Sequence, residues 1–236
     1  MKICILFIYS ESDYYNSMLK IQQKYVHKHN DVDSFFIKFD NLQNDDIVIN
    51  DDIISVKGEE LYLSILDKTI KSFELLLSKK YDYFIRTNIS TIIDIEQLIC
   101  YLENMPRTNF YGGSRMNRLQ WYDPPAGISD RRYWGLMYFV GFNIILSTDL
   151  VKNIVTNKDK LNYSIIDDVA ISIYLHDFVS ECTIDLFKYP FIPVIVSTNA
   201  DNYDKIEKKY IIYRNKSDNR NDDIILMNHI LKLIYT

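Results

Sequence analysis

The chain has 236 residues, with 27 Lys and Arg against 32 Asp and Glu, a formal net charge of −5 and 47% hydrophobic residues. That length and apolar content suffice for a full hydrophobic core and exclude disorder, while six glycines and five prolines exclude collagen-like and Pro-rich classes. The acidic balance argues against a general nucleic-acid or membrane-surface binder.

The first apolar run, Ile3 to Tyr9, reads as a buried strand; one lysine precedes it and no small-residue cleavage site follows, unlike a signal peptide. No apolar run reaches the roughly 18 to 20 residues that span a bilayer. Cys4, Cys100 and Cys182 lie in apolar surroundings without C-x-x-C spacing, so buried thiols and a reducing, cytoplasmic setting are expected. Strands are expected around Lys2 to Tyr9, Ser34 to Phe39, Ile53 to Val56, Tyr83 to Thr87, Asn109 to Tyr111, Tyr138 to Leu146, Thr183 to Leu186 and Lys209 to Arg214. Between them, Asp13 to Lys28 and Leu61 to Leu77 carry helical spacing, the second through Leu61, Ile65, Lys68, Thr69, Ser72 and Leu76. Further helices start from caps: Thr91 or Asp94 before Ile95 to Leu102, Ser147 or Thr148 before Asp149 to Val155, and Ser217 or Asp218 before a helix running to Ile234. This alternation favours α/β over a sandwich or bundle. With no repeat and no low-complexity linker, residues 1–236 are expected to form a single domain.

Charge is unevenly spread. Nine acids between Asp31 and Glu60 face only Lys38 and Lys57, most simply a solvated connecting region. Arg107, Arg115, Arg118, Arg131 and Arg132 form one basic window, and Lys205, Lys208, Lys209, Arg214, Lys216 and Arg220 another; the two are expected to border one pocket. Dinucleotide, P-loop, zincin and serine-hydrolase signatures are absent; His27 and His29, at i, i+2, would lie on different faces of a helix, and His176 and His229 have no spaced partners.

The informative segment is Tyr81 to Thr91, an aromatic and apolar strand that runs into short polar residues and then a helix. Ligands in open α/β sheets bind beyond such strand ends, which would place Arg86, Thr87, Asn88 and Ser90 at a polar ligand. A plain turn with a helix cap fits the same residues.

Five motifs, in order, resemble those of nucleotide-sugar glycosyltransferases of the GT-A fold, above all the β-1,3-galactosyltransferase and Fringe-like branch. Glu59-Glu60-Leu61-Tyr62-Leu63-Ser64-Ile65-Leu66-Asp67-Lys68-Thr69 is similar to that branch's E-x-Y-x-N-L-T-L-K-T, and Tyr111-Gly112-Gly113 to its Tyr-Gly strand. A Trp-containing arm at Trp121, the segment from Tyr133 through Gly141-Phe142-Asn143 to Ser147, and Asp167-Asp168-Val169 in place of E-D-V complete the order, from about Lys57 to Leu175. The resemblance implies a single GT-A-like α/β domain with a mixed, mostly parallel central sheet flanked by helices. It implies transfer of a sugar from a nucleotide donor, UDP-linked, to a glycan or other hydroxyl acceptor.

One departure is central: where the family has Asp-x-Asp, this chain has Asn88-Ile89-Ser90. Mg²⁺ and Mn²⁺ want anionic oxygens, so no essential metal is expected. Tyr213 to Arg220 offers an alternative, because Arg214, Lys216 and Arg220 at a strand end entering a helix suit a diphosphate; a solvated basic loop is the bland reading. By resemblance Asp168 is the general base of an inverting transfer, with Asp167 the alternate, although both carboxylates also suit a helix N-terminus. Tyr9 and Ser10, at the end of the first strand, are candidates for the nucleoside. Trp121, Tyr133 and Trp134, with Gly141 and Phe142 of the resembling segment, are candidates for the acceptor, and ordinary aromatic packing is the alternative. A catalytically inactive nucleotide- or glycan-binding module is the second functional reading.

Overall fold

The computed structural model describes residues 1–120, 122–179, 189–198 and 206–235. The expected strand from Thr183 to Leu186, and with it Trp121, Cys182 and Lys205, lie outside the described residues. In chain order the elements are β1 (Ile3–Ile8), α1 (Asp13–Val26), β2 (Val32–Asp40), β3 (Ile47–Asn50), β4 (Ile53–Lys57), α2 (Ile65–Leu76), β5 (Tyr83–Asn88), β6 (Thr91–Ile93), α3 (Ile95–Glu103), β7 (Tyr111–Gly113), β8 (Met116–Arg118), β9 (Met137–Phe139), β10 (Asn143–Ser147), α4 (Thr148–Thr156), α5 (Asp167–Val179), β11 (Val194–Ser197), β12 (Ile212–Asn215) and α6 (Arg220–Tyr235).

β1 is apolar at every position because it lies between two parallel neighbours, β2 and β5, with both faces covered. The central sheet runs β3-β4-β2-β1-β5-β10-β7. Its middle is parallel, while β3 is antiparallel to β4, β10 to β5, and β7 to β10. This is the mixed, mostly parallel sheet expected from the sequence. Strand alternation divides the core: Cys4, Leu6 and Phe84 pack with Leu66, Phe73, Ile154 and Ile171 on one face, and Ile3, Ile5, Tyr83 and Ile85 pack with Ile21, Tyr25, Leu98 and Leu226 on the other. The same alternation sends Arg86 to the α5 side of the sheet and Thr87 to the opposite side.

Helix starts follow the expected polar residues. Ser12 accepts the Tyr15 N–H to begin α1, and Asp94, not Thr91, accepts the Gln97 N–H to begin α3. Several expectations change. The stretch Tyr138 to Leu146 is two strands, β9 and β10, separated by a turn at Val140, Gly141 and Phe142. The strand expected at Asn109 to Tyr111 begins instead at Tyr111, since Asn109 takes a left-handed turn with φ +53°. Residues 31 to 60 are not merely a solvated connector: they supply three strands, and the Glu60 carboxylate holds Lys68 at 2.7 Å. Cys100 is exposed rather than buried, because it lies on the outer face of α3, while Cys4 is buried in the sheet.

Candidate active site

The carboxyl ends of β1 and β5 open into a cleft of about 510 Å³ lined by Tyr9, Ser10, Tyr15, Glu60, Tyr62, Lys68, Asn88, Ser90, Arg214, Lys216 and Arg220. After β5 the chain turns at Ile89 and Ser90 into β6, which pairs antiparallel with β12 in the register Thr91 to Arg214. That pairing carries the C-terminal segment to the end of β5. The Asn215 backbone N–H and its side-chain amide both donate to the Ser90 carbonyl at 3.1 Å, and the Arg214 guanidinium donates to the Ser90 hydroxyl. Gln22, fully buried on α1, secures the turn from below by donating to the Ile89 and Thr91 carbonyls at 2.6 and 2.8 Å.

Cations dominate this cleft although the chain is acidic overall. Burial and the neighbouring Arg220 push Arg214 down to about 10, which leaves it charged at neutral pH. Arg220 lies over the Tyr15 ring and donates to Asp223 at 2.6 Å. Asp223 also accepts the Ser217 N–H, and Asn219 accepts the Asn221 N–H, so side chains of this helix start answer backbone donors. Lys68 is completely buried at the cleft floor, where its ammonium donates to both Glu60 oxygens and to the Tyr9 carbonyl at 2.9 Å. Burial lowers its pKa, opposed by Glu60.

A divalent ion of the kind the GT-A resemblance implies does not fit at Asn88 and Ser90. The Asn88 Oδ1 accepts from Arg86 at 2.8 Å and the Ser90 hydroxyl from Arg214, so both neutral oxygens face guanidinium groups that repel a cation. Among the described residues, no three His, Cys, Asp or Glu side chains converge on a point where a metal could bind.

The acid pair begins α5, and the fold gives its two members different partners. Asp167 is fully buried, accepting from the Arg86 Nε at 2.7 Å, from its Nη2 at 3.0 Å and from the Thr69 hydroxyl at 3.4 Å. This fork-to-fork pairing withdraws Arg86 from the cleft and leaves Asp167 no free oxygen for a substrate proton. Asp168 is half-buried, and accepts the Gly141 N–H at 2.8 Å and the Val169 N–H at 2.9 Å. Burial and the Asp167 charge push it up to about 6, against Arg86 and the two N–H donors. A carboxylate with that basicity suits proton abstraction near neutral pH.

The other expected residues divide. Tyr9, Ser10, Asn88, Ser90, Arg214, Lys216 and Arg220 are brought together, although the Tyr9 ring is nearly buried and its hydroxyl donates to Asn16, so Tyr15 offers the more open ring. Thr87 is turned away, donating to the Phe142 carbonyl at 2.6 Å, and Phe142 packs in the core. Gly141 sits on Asp168, where a Cβ would meet the Arg86 Nη1 at 2.8 Å and the Asp168 Oδ2 at 3.1 Å. Tyr133 lines a separate 270 Å³ hollow with Ala170, Ile173, Tyr174 and Asp177, the α5 face opposite Asp168, and Trp134 is 66% exposed. Among the described residues, none of Arg107, Arg115, Arg118, Arg131 and Arg132 lines this cleft, and Arg107 reaches Asp82 at the other end of β5. Lys68, Tyr15 and Tyr62 were not singled out by sequence. Lys68 and Tyr62 both carried a signal, since they fall on the K and the Y of the motif matched at Glu59 to Thr69, whereas Tyr15 carried none.

The Galactosyltransferase family model matches residues 37–182, well over half the chain and inclusive of α2, the Asn88–Ser90 turn and the acid pair. The chain belongs to the galactosyltransferase family. Among solved structures it is similar to an active-site mutant of LgtC, at 13% identity and a TM-score of 0.44, covering 97% of this chain and 95% of that one. It is also similar to the apo-form glycosyltransferase GlyE of Streptococcus pneumoniae TIGR4, at 11% identity and a TM-score of 0.40, covering 98% of this chain and 64% of that one. No curated protein matches. This galactosyltransferase-family chain is thus a glycosyltransferase, with a sugar donor and an acceptor as substrates, and none of its described helices is long and apolar enough to cross a membrane.

Proposed function

We propose that the enzyme transfers galactose from a UDP-linked donor to a hydroxyl acceptor by single displacement with inversion, without an essential metal ion. The observation that carries this reading is the Arg214 guanidinium on the Ser90 hydroxyl, at the strand end where the family places its metal-binding carboxylates. Arg214, Lys216 and Arg220 would take the charge that builds on the leaving diphosphate, preorganised in a partly buried cleft where such interactions count most. Tyr15 and the end of β1 at Tyr9 and Ser10 would hold the nucleoside. The acceptor oxygen attacks the anomeric carbon, Asp168 accepts its proton, and the bond to the diphosphate breaks to release UDP. Asp167 and Arg86 act as positioning residues that hold the start of α5 against β5. The free thiols of Cys4 and Cys100 suit a reducing compartment, and a cytoplasmic location belongs to the same reading.

The test is release of UDP from UDP-galactose in excess chelator, with a panel of acceptors, by wild type and Asp168→Asn. Turnover by wild type and its loss in the variant, with donor affinity kept, supports the reading. Donor binding without turnover under any condition, metal included, would make the chain a binding module instead.

A further inference from the structure

The first basic window stays outside the donor cleft, and four of its five arginines stand on one arm. The arm leaves β7 at Ser114, runs out through β8, and returns through β9 to the turn where Gly141 holds Asp168. Main-chain bonds tie down its root: the Val140 N–H donates to the Arg115 carbonyl at 3.0 Å, and the Leu119 N–H to the Leu136 carbonyl at 2.8 Å. Farther out, the Ile166 N–H ahead of α5 donates to the Ala126 carbonyl at 3.0 Å. Leu119, Ala126, Ile128 and Phe139 go into the core. With those apolar positions used inward, Arg115, Arg118, Arg131, Arg132, Tyr122 and Trp134 are exposed.

Charge and shape of that outer surface select the same partner. From Arg115 to Tyr138 four arginines face only Asp123 and Asp130, a net +2 within a total of −5, which leaves −7 on the rest of the chain. An anionic surface is therefore drawn to the arm and repelled by the remainder of the molecule, which sets its orientation. Tyr122 and Trp134 are 58% and 66% exposed. Trp134 sits on a protruding turn: Gly135 follows it at φ +86°, and a Cβ there would meet nothing within 4 Å. A ring on a convex turn cannot enclose a small ligand, but it can enter a soft surface. Indole and phenol rings settle at the headgroup level of a bilayer, the apolar body buried and the polar edge wet, while arginines reach lipid phosphates. A nucleic-acid duplex would use the arginines through its phosphates and leave the rings idle. We infer that this arm docks on an anionic phospholipid bilayer and holds the protein at its surface. The overall acidity argues against general membrane binding; this docking is confined to one arm and needs no spanning helix. Asp130 already engages Arg132 at 2.7 Å, so Arg115 and Arg118 are the arginines to remove.

The test floats the full chain with vesicles of phosphatidylglycerol mixed into phosphatidylcholine, with phosphatidylcholine alone, and with the mixed vesicles in high salt. Wild type is expected to float with the mixed vesicles at low salt and not under the other two conditions. Arg115→Ala combined with Arg118→Ala is expected to weaken partitioning about tenfold or more, because each arginine near an anionic surface is worth about fivefold. Trp134→Ala is expected to weaken it about fivefold. Tryptophan emission should shift to the blue on the mixed vesicles in wild type, and less so in Trp134→Phe. The replaced side chains are exposed, so these variants keep the fold. Arg214→Ala, in the donor cleft, is expected to float as wild type does. Failure of wild type to float with the mixed vesicles would overturn the inference, as would arm variants that float like wild type or tighter binding to a duplex oligonucleotide than to vesicles. None of these outcomes bears on UDP release, which tests the transfer reading separately.

Discussion

Replacing Asp168 with Asn tests the acid pair through both rate and stability. Burial and Asp167 hold the Asp168 carboxyl up at about 6 rather than the ordinary 3.8. As the general base it must be ionised, so kcat/KM is expected to rise with pH through about 6 and level off above 7. At pH 5 only about a tenth of the molecules carry the base in its working form, so the rate is expected to fall about tenfold there. Asp168→Asn is expected to lose about 10²- to 10⁴-fold in kcat. The stability effect has the opposite sign. A carboxyl whose pKa is higher in the folded state than in the unfolded state stabilises most at low pH, and that contribution is lost as pH rises from about 4 through about 6. At pH 8 the ionised carboxylate therefore costs the fold about 3 kcal/mol, and at pH 5 about half of that. Asn removes this cost but offers one oxygen to the two N–H donors of Gly141 and Val169, returning about 1 kcal/mol. The net expectation is a variant more stable than wild type by about 2 kcal/mol at pH 8 and by under about 1 kcal/mol at pH 5. Urea unfolding at the two pH values, with a pH profile of UDP release, checks both halves. A kinetic limb near pH 4, or a variant that keeps a tenth of wild-type turnover at pH 8, would refute the assignment of Asp168 as base.

Other positions give sharp expectations. Lys68→Met would leave Glu60 and the Tyr9 carbonyl without their cation and should destabilise the protein by about 3 kcal/mol while weakening donor binding, measured by denaturant unfolding and calorimetry. Gly141→Ala inserts a methyl between the Arg86 and Asp168 side chains. It should cut kcat at least tenfold while UDP affinity stays within threefold in titration, because the donor cations lie on β12, on α6 and on the link between them. Gly127→Ala is expected to cost more than about 2 kcal/mol in thermal unfolding, since its φ of +77° and a Cβ only 1.9 Å from the Ser164 carbonyl oxygen leave no room.

Alternation along the chain made the main sheet legible: strands such as Ile3–Ile8 and Tyr83–Asn88 are long, apolar and bounded by polar turns. The short strands β3, β6, β8 and β11 were not, because three or four residues carry no period and owe their form to a partner strand. The acid pair could be read as a pair, yet the division of labour within it depends on which residue faces Arg86, a contact across 81 positions. Arg214 was legible as a basic residue, but its place on Ser90, 124 positions away, follows only from the β6–β12 register.

The central claim is that a guanidinium stands where the family uses a metal ion, and calorimetry of UDP binding in excess chelator tests it most directly. Wild type is expected to bind UDP with the same affinity in chelator and in Mn²⁺. Arg214→Ala is expected to lose tenfold or more, since charge-assisted hydrogen bonds contribute about 1.5 to 3 kcal/mol each. UDP binding that requires Mn²⁺, or an Arg214→Ala protein that binds UDP as wild type does, would contradict the account.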